Sequence, residues 1–182
     1  FEEAIALYDE TLAVDPHHFL AKVNKGKALV LSGRIDEACA MYADAESDVK
    51  DNAWEQNMMG DAWAEIGRFD RALAYLQRAV ELAPGNPETL NNIGRILILQ
   101  KRYAEAVPWL ERAIAVQPGH IEAHNNLGIA FFRIGRMQEA LLHTRKALQL
   151  QPHHGEAEET QKTILESVRQ GSGGITHDSP IN

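Results

Sequence analysis

Apolar residues recur along most of this chain at spacings of three and four, with polar residues between them. Such spacing places the apolar side chains on one face of an α-helix. The helical segments are separated alternately by short turns, such as Ile66–Arg68, and by prolines, such as Pro84. Glycine often follows the end of a helix and proline cannot continue one, so these positions mark helix boundaries. The pattern therefore predicts an all-α protein built from pairs of helices.

Small residues repeat along the chain at a fixed interval of 34 residues. A period of this kind is the sequence signature of a solenoid, in which each repeat packs on its neighbours. Small residues are needed where two helices cross closely, so we expect Gly26 to face Ala38 and Gly60 to face Ala72. The two columns of equivalent positions are Gly26, Gly60, Gly94 and Gly128, and Ala4, Ala38, Ala72, Ala106 and Ala140.

The period also predicts where each segment begins and ends. Residues 1–18 match only the second helix of a repeat, so this repeat is truncated and we expect natural sequence upstream of Phe1. Residues 155–170 are predicted to form a capping helix, because their apolar residues are sparse and their outer face is charged. Residues 171–182, GSGGITHDSPIN, are predicted to be a flexible tail, or a linker followed by a peptide-like segment. The full repeats lie between these segments, at 19–52, 53–86, 87–120 and 121–154.

The glycine and alanine columns, with closing prolines such as Pro118, resemble the tetratricopeptide repeat family over most of the chain. The resemblance implies a right-handed superhelical solenoid of antiparallel helix pairs. It also implies that the first helices of the repeats line a concave groove. Some members of the family hold the C-terminal carboxylate of chaperones through a clamp that begins with Lys. Here Val23, Asn57, Asn91 and Asn125 stand where that Lys would fall, so we do not predict chaperone-tail binding.

The composition excludes several classes of function. The formal net charge of −8 argues against nonspecific binding to nucleic acid or to anionic membranes. No apolar run approaches the roughly 20 residues that a membrane-spanning helix needs. The single cysteine, Cys39, excludes an internal disulfide. A cytoplasmic location is favoured.

Catalytic and metal-binding motifs are missing from the sequence. There is no glycine-rich phosphate loop, no H-E-x-x-H and no G-x-S-x-G. Pairs of histidines follow Pro16 and Pro152, but these pairs are far apart along the repeats. We predict that these residues, and also His120 and His124, are solvated turn histidines rather than metal ligands. We therefore predict no catalytic site, no metal and no cofactor, and we do not expect an enzyme.

Polar side chains recur on the first helices of the repeats, which the family resemblance places in the groove. An asparagine amide can both donate to and accept from the backbone of an extended peptide. In related proteins, asparagines at the position of Asn24 contact bound peptide backbones. The alternative is that these amides are ordinary polar surface residues, or that they bond within the scaffold. The predicted peptide-binding residues are the amides Asn24, Asn57, Asn91, Asn92, Asn125 and Asn126, the charged Lys27, Asp61 and Arg95, and the apolar Trp54, Ile129 and Phe132.

These observations predict a non-catalytic scaffold or adaptor that binds a protein or an extended peptide. A second hypothesis, from a different class, is that the repeats are the substrate-recruiting arm of a larger enzyme such as a glycosyltransferase. A third is a self-assembling scaffold, in which the bare helix Phe1–Val14 makes a homo-oligomer by stacking on the end of another copy.

Overall fold

The computed structural model describes residues 1–172, which contain ten helices and no strands. Of the predicted tail 171–182, the first two residues belong to the last helix, and residues 173–182 lie outside the described part of the chain. The helices are α1 (Glu2–Val14), α2 (Phe19–Leu31), α3 (Ile35–Ala45), α4 (Ala53–Glu65), α5 (Phe69–Leu82), α6 (Pro87–Leu99), α7 (Tyr103–Val116), α8 (Ile121–Arg133), α9 (Met137–Leu150) and α10 (Gly155–Ser172).

The chain divides into two compact units, the first of which is Phe1–Ile96 and the second of which begins at Leu97. In the first unit, α2 packs against α1, α3 and α4, and α4 also packs against α5. In the second unit, α8 packs against α7 and α9, and α10 packs against both α8 and α9. The helices that the sequence pairs within one repeat, such as α2 with α3 and α8 with α9, therefore contact each other.

The predicted small-residue columns lie in the interior. In the first unit, a Cβ added to Gly60 would lie 2.5 Å from Leu76 Cγ and 3.1 Å from the carbonyl oxygen of Ala72. The expected contact between Gly60 and Ala72 is therefore present. The three atoms nearest to a Cβ on Gly26 all belong to the ring of Tyr42, one helical turn beyond Ala38. The helices cross so closely at both glycines that no side chain fits there.

The turns within the repeats share one hydrogen-bonding pattern, which is that of a Schellman motif. In the first full repeat, Gly33 N donates to Val30 O at 3.0 Å and Arg34 N donates to Leu29 O at 2.9 Å. The same two bonds recur in the other repeats, and the motif requires a left-handed residue at its centre. That residue is Gly33, Gly67 or Gly135 in three of the turns, and it is Lys101, with φ 62°, in the fourth.

The junction between α3 and α4 has Lys50 where other repeats have proline. Side chains from the first turn of α4 fasten this segment. The backbone nitrogen of Lys50 donates to Glu55 Oε2 at 2.6 Å, and Gln56 Nε2 donates to the carbonyl oxygen of Lys50 at 3.2 Å. Asn52 caps the helix by accepting from the backbone nitrogen of Glu55 at 3.0 Å. These bonds position the start of α4 without the help of a proline.

Candidate functional site

Three charged side chains form a continuous row across the first helices of the first unit. Lys27 Nζ on α2 lies 3.1 Å from Asp61 Oδ2 on α4, and Arg95 Nη2 on α6 lies 2.9 Å from Asp61 Oδ1. We call Lys27, Asp61 and Arg95 the charged row. Each side chain is about one third exposed, at 31%, 29% and 36%. The period of the sequence therefore brings these three predicted residues together.

A second carboxylate balances the charge of the row. Lys27 Nζ also lies 3.4 Å from Glu65 Oε1, and the Tyr42 hydroxyl donates to Glu65 Oε2 at 3.0 Å. Partial burial alone would lower the pKa of Lys27, but the carboxylates of Asp61 and Glu65 outweigh it and hold that pKa above its ordinary value. Burial and the nearby Glu65 raise the pKa of Tyr42, so its hydroxyl remains a neutral donor. The surface thus has alternating charges and little net charge.

Amides accompany the charged row on the same helices. Asn92 Nδ2 on α6 donates to Asn57 Oδ1 on α4 at 3.5 Å, which is the long limit for a hydrogen bond. Both residues are half-buried, and so is Asn24 on α2. This bond uses neither amide hydrogen of Asn57, and it leaves one amide hydrogen and the oxygen of Asn92 unused. These groups provide donors and acceptors next to the charges.

The structure separates the predicted amides into accessible and buried ones. Asn91 is 4% exposed and Asn125 is 1% exposed, whereas Asn24, Asn92 and Asn126 are half-buried. Asn91 and Asn125 each come one position before an accessible amide. Neighbouring positions on a helix differ in direction by about 100°, so these two side chains turn away from the surface that Asn92 and Asn126 occupy. This differs from the expectation that all six amides face a ligand. Asn91 and Asn125 lie in the interior instead.

The predicted apolar residues lie in different surroundings. Trp54, at the start of α4, is 56% exposed and borders a cleft of about 290 Å³. Leu20 lines this cleft as well, together with the polar Asp48 and Glu55. In the second unit, Ile129 and Phe132 on α8 are half-buried. Ile129 occupies the position in its repeat that the charged row occupies in the first unit, so an apolar side chain replaces a charged one there.

The prediction that His120 and His124 are solvated is wrong, since they are only 2% and 5% exposed. His120 caps α8, where its Nδ1 accepts from the backbone nitrogen of Ala123 at 3.4 Å. His124 Nδ1 lies 3.0 Å from His143 Nδ1, and His124 Nε2 lies 3.1 Å from the carbonyl oxygen of Pro118. Because a carbonyl only accepts, neutral His124 has its hydrogen on Nε2, and His143 Nδ1 must donate to His124 Nδ1.

The pKa of each member of this histidine pair is below its ordinary value. Burial lowers the pKa of His124, and Lys146 and His120 lower it further, against a raising effect of the bond to Pro118. Burial also lowers the pKa of His143, more than Glu139 raises it. In the part of the chain that the structure describes, no group of three or more histidine, cysteine or acidic side chains could hold a metal ion.

A buried lysine cluster was not predicted from the sequence. The Lys22 side chain is 4% exposed, and its Nζ lies 2.6 Å from both Asp44 Oδ2 and Asp48 Oδ2. His17 Nδ1 lies 2.8 Å from the other oxygen of Asp48. Burial alone would lower the pKa of Lys22, but its two aspartate partners raise it above the ordinary value. The cluster ties α2 to the end of α3 and has a structural role.

Helix pairs that recur at one fixed interval define a helical-repeat solenoid. Family models described as tetratricopeptide repeat match residues 1–53, 51–118 and 85–153. This chain belongs to the tetratricopeptide repeat family. The predicted family and all-α fold class are thus confirmed. None of the described helices is both long enough and apolar enough to cross a membrane.

Solved structures share this fold. YrrB, described as a TPR protein with an unusual peptide-binding site, is 29% identical with a TM-score of 0.67, over 88% of this chain and 83% of YrrB. MamA is 24% identical with a TM-score of 0.65, over 81% of this chain and 86% of its own. The first TPR of Spaghetti (RPAP3), bound to the HSP90 peptide SRMEEVD, is 22% identical with a TM-score of 0.62, over 64% and 93%. A search of the curated proteins finds no match by sequence.

Proposed function

We propose that this protein is a non-catalytic scaffold or adaptor that binds a protein or an extended peptide through the first helices of its repeats. The similarity to YrrB, whose description includes a peptide-binding site, supports this class of function. The fold alone does not select a ligand, because the same repeats serve many partners. The residues that line the first helices must therefore carry the argument.

The charged row is the observation that carries the proposal. A row of ion pairs that is one third exposed adds little to stability, since water screens it. It does present fixed donors and acceptors to a ligand. A ligand carboxylate would compete with Asp61 for Arg95, and a ligand amine would compete with Arg95 for Asp61. The surface therefore suits a peptide that carries both signs of charge.

The neighbouring amides supply contacts that do not depend on the sequence of the ligand. Asn24 and Asn92 stand at equivalent positions of their repeats, so each meets an extended peptide in the same manner. Each amide that bonds to a peptide backbone group contributes about 0.5–1.5 kcal/mol net. Amides would thus hold the backbone, while the charged row selects side chains.

The test uses an array of short synthetic peptides, first screened against the wild-type protein. Asn24→Ala combined with Asn92→Ala should weaken the best binder by about tenfold, because two amide contacts are lost. Gln77→Ala is the matched control, since Gln77 is an exposed amide on the second helix α5. Equal affinity of the double variant and the control would remove the first helices from the ligand-binding role.

Self-association through α1 is a second candidate, and the exposure of this helix favours it. Ile5 and Tyr8 pack on the first unit, whereas Leu7 is 62% exposed and Val14 is 88% exposed. Leu7 and Val14 are two helical turns apart, so they lie on one face. Sedimentation velocity should show a mass that rises with concentration, and Leu7→Glu should abolish the rise. A wild-type protein that stays monomeric throughout would exclude this candidate.

The hypothesis of a substrate-recruiting arm for a larger enzyme stays a prediction. In that arrangement the bound peptide would be the substrate, and the first helices would hold it in the same manner. No residue of the charged row would need a chemical role. The peptide-array experiment therefore applies equally to this alternative.

A further inference from the structure

The second unit contains a cleft that is not formed by the candidate peptide-binding residues. It lies at the turn between α6 and α7 and has a volume of about 260 Å³. We call it the turn cleft. Its lining combines basic, aromatic and aliphatic side chains, and the lining residues are Lys101, Arg102, Tyr103, Ala104, Glu105 and Ile134.

Lys101 is the unusual residue of the turn cleft. The backbone nitrogen of Lys101 donates to the carbonyl oxygen of Ile98 at 2.9 Å, and the backbone nitrogen of Arg102 donates to the carbonyl oxygen of Leu97 at 2.8 Å. The Schellman motif of this turn is therefore complete. The motif forces φ 62° on Lys101, a conformation that the equivalent Gly33, Gly67 and Gly135 adopt without strain. The fold itself would be better served by glycine. A strained residue of this kind is a reason to look for a function.

The positive charge of the turn cleft is not neutralised. Arg102 is paired with Glu105 by two bonds of 2.9 and 2.7 Å. Within residues 1–172, no carboxylate forms an ion pair with exposed Lys101 or with Arg133, whose Cζ lies 5.9 Å from the ring centroid of Tyr103. Two positive charges thus remain, on Lys101 in the lining of the cleft and on Arg133 beside Tyr103, in a chain whose net charge is −8. The charge left unpaired around the cleft is therefore opposite in sign to the net charge of the chain.

Apolar surface accompanies the two cations. Ile134, at the C-terminal end of α8, is 37% exposed, and Tyr103 is half-buried beneath Arg133. Charge complementarity selects an anionic occupant, and the aliphatic and aromatic walls favour one that also has an apolar side chain. We propose that the turn cleft is a second docking site, which binds an acidic peptide segment with its carboxylate between Lys101 and Arg133 and its apolar side chain against Tyr103 and Ile134.

The experiment measures the fluorescence anisotropy of a labelled peptide with two leucines flanked on each side by two glutamates. At low ionic strength, Lys101→Glu should weaken binding by about tenfold and Lys101→Gly by about threefold, because exposed charge contacts are weak individually and screened by salt. Ile134→Ser should also weaken it by about threefold. Lys162→Glu is the matched control, since it makes the same change of net charge on α10.

Lys101→Gly also separates binding from folding. Glycine removes the strain of the turn, so the melting temperature should stay the same or rise while peptide binding falls. A variant that merely damaged the fold would show a lower melting temperature as well as weaker peptide binding. Lys101→Glu should bind the peptide selected on the array as tightly as the wild type does, so this site can fail or succeed independently of the first-helix surface.

Three outcomes would overturn the proposal. One is equal binding of a peptide in which lysines replace the glutamates. Another is a loss of affinity in Lys162→Glu as large as that in Lys101→Glu, which would show a general field effect. The third is a wild-type protein that sediments as a homo-oligomer while Lys101→Glu sediments as a monomer. A second copy of this chain would then be the occupant.

Discussion

Arg95 donates to Asp61 at 2.9 Å across an interval of one repeat, which joins the first helices of two neighbouring repeats. Lys27 approaches the other oxygen of the same carboxylate from the preceding repeat. Asp61 is therefore the only member of the charged row with a partner on both sides. The properties of the row depend on this one carboxylate.

Asp61→Asn should uncouple the charged row without changing its shape. Since the pairs are about one third exposed, we expect the free energy of unfolding in urea to fall by only about 1 kcal/mol. The surface would gain positive charge, so affinity for acidic peptides should rise and affinity for basic peptides should fall. A double-mutant cycle with Lys27→Met isolates the coupling energy. A stability loss of several kcal/mol, with unchanged peptide preference, would make the row structural.

Asp48→Asn should lower the free energy of unfolding far more than Asp61→Asn does, although both substitutions remove one carboxylate charge. Its side chain is 7% exposed, and its loss would leave the buried Lys22 with one partner fewer. Weakening such a buried pair costs about 3 kcal/mol. Chemical unfolding monitored by circular dichroism would measure the difference. Similar values for the two substitutions would contradict the role of burial that we assign.

The His124–His143 pair should make the second unit less stable in mild acid. In the unfolded chain histidine titrates near its ordinary pKa of about 6.5, whereas the folded pair titrates lower. As the pH falls below that value, the unfolded state binds protons first, and each such group lowers stability by up to about 1.4 kcal/mol per pH unit. The stabilisation is complete above the ordinary pKa and is lost towards the folded pKa.

The measurement is urea unfolding of the wild type and of His143→Gln between neutral pH and mild acid. The variant keeps a donor for His124 but lacks one titrating group, so its stability should fall less steeply. His153→Gln is the control, because His153 is fully solvated with a side chain that is 97% exposed. Parallel curves for wild type and His143→Gln would contradict the assignment.

Gly60→Ala tests the close crossing of α4 and α5. The added Cβ would meet Leu76 Cγ at 2.5 Å, so the helices must separate and the cost should be about 1–3 kcal/mol. Gly85→Ala is the matched control in the same unit, because a Cβ there meets nothing within 4 Å. Thermal melts of both variants would show the difference. An unchanged melting temperature for Gly60→Ala would mean that the crossing tolerates a wider spacing.

Most of the fold is predictable because the same structural position occurs several times in the sequence, once in each repeat. A single Gly26 is ambiguous, but the same residue at each interval indicates one packing position. The same reasoning explains Lys101, which keeps the backbone of its glycine equivalents because the Schellman bonds of the turn fix it. It also explains why Lys27, Asp61 and Arg95 meet. Equivalent positions on neighbouring repeats are brought into register by the stacking.

Residues outside the period could not be predicted in this manner. Lys22 and Asp48 are 26 positions apart, and His124 and His143 are 19 apart, so neither pair follows the repeat. Their meeting depends on the angle between helices rather than on spacing along one helix. A lysine in a column that otherwise holds Gln56, Leu90 and His124 was the available signal, since a charge there needs a buried partner.

The ion pairs of this protein differ in what they require of their neighbours. In the turn of the first full repeat, Arg34 donates to Glu37, three residues later, at 2.7 Å. Both residues belong to one repeat, so this pair does not depend on which repeat comes next. The charged row instead joins different repeats. If the repeats of Lys27 and Asp61 exchanged places, Lys27 would stand beside Arg95 and two like charges would meet. The charged row therefore favours one order of the repeats. In a chain with these repeats rearranged, like charges would repel each other in the row, whereas the ion pairs within the turns would be unchanged.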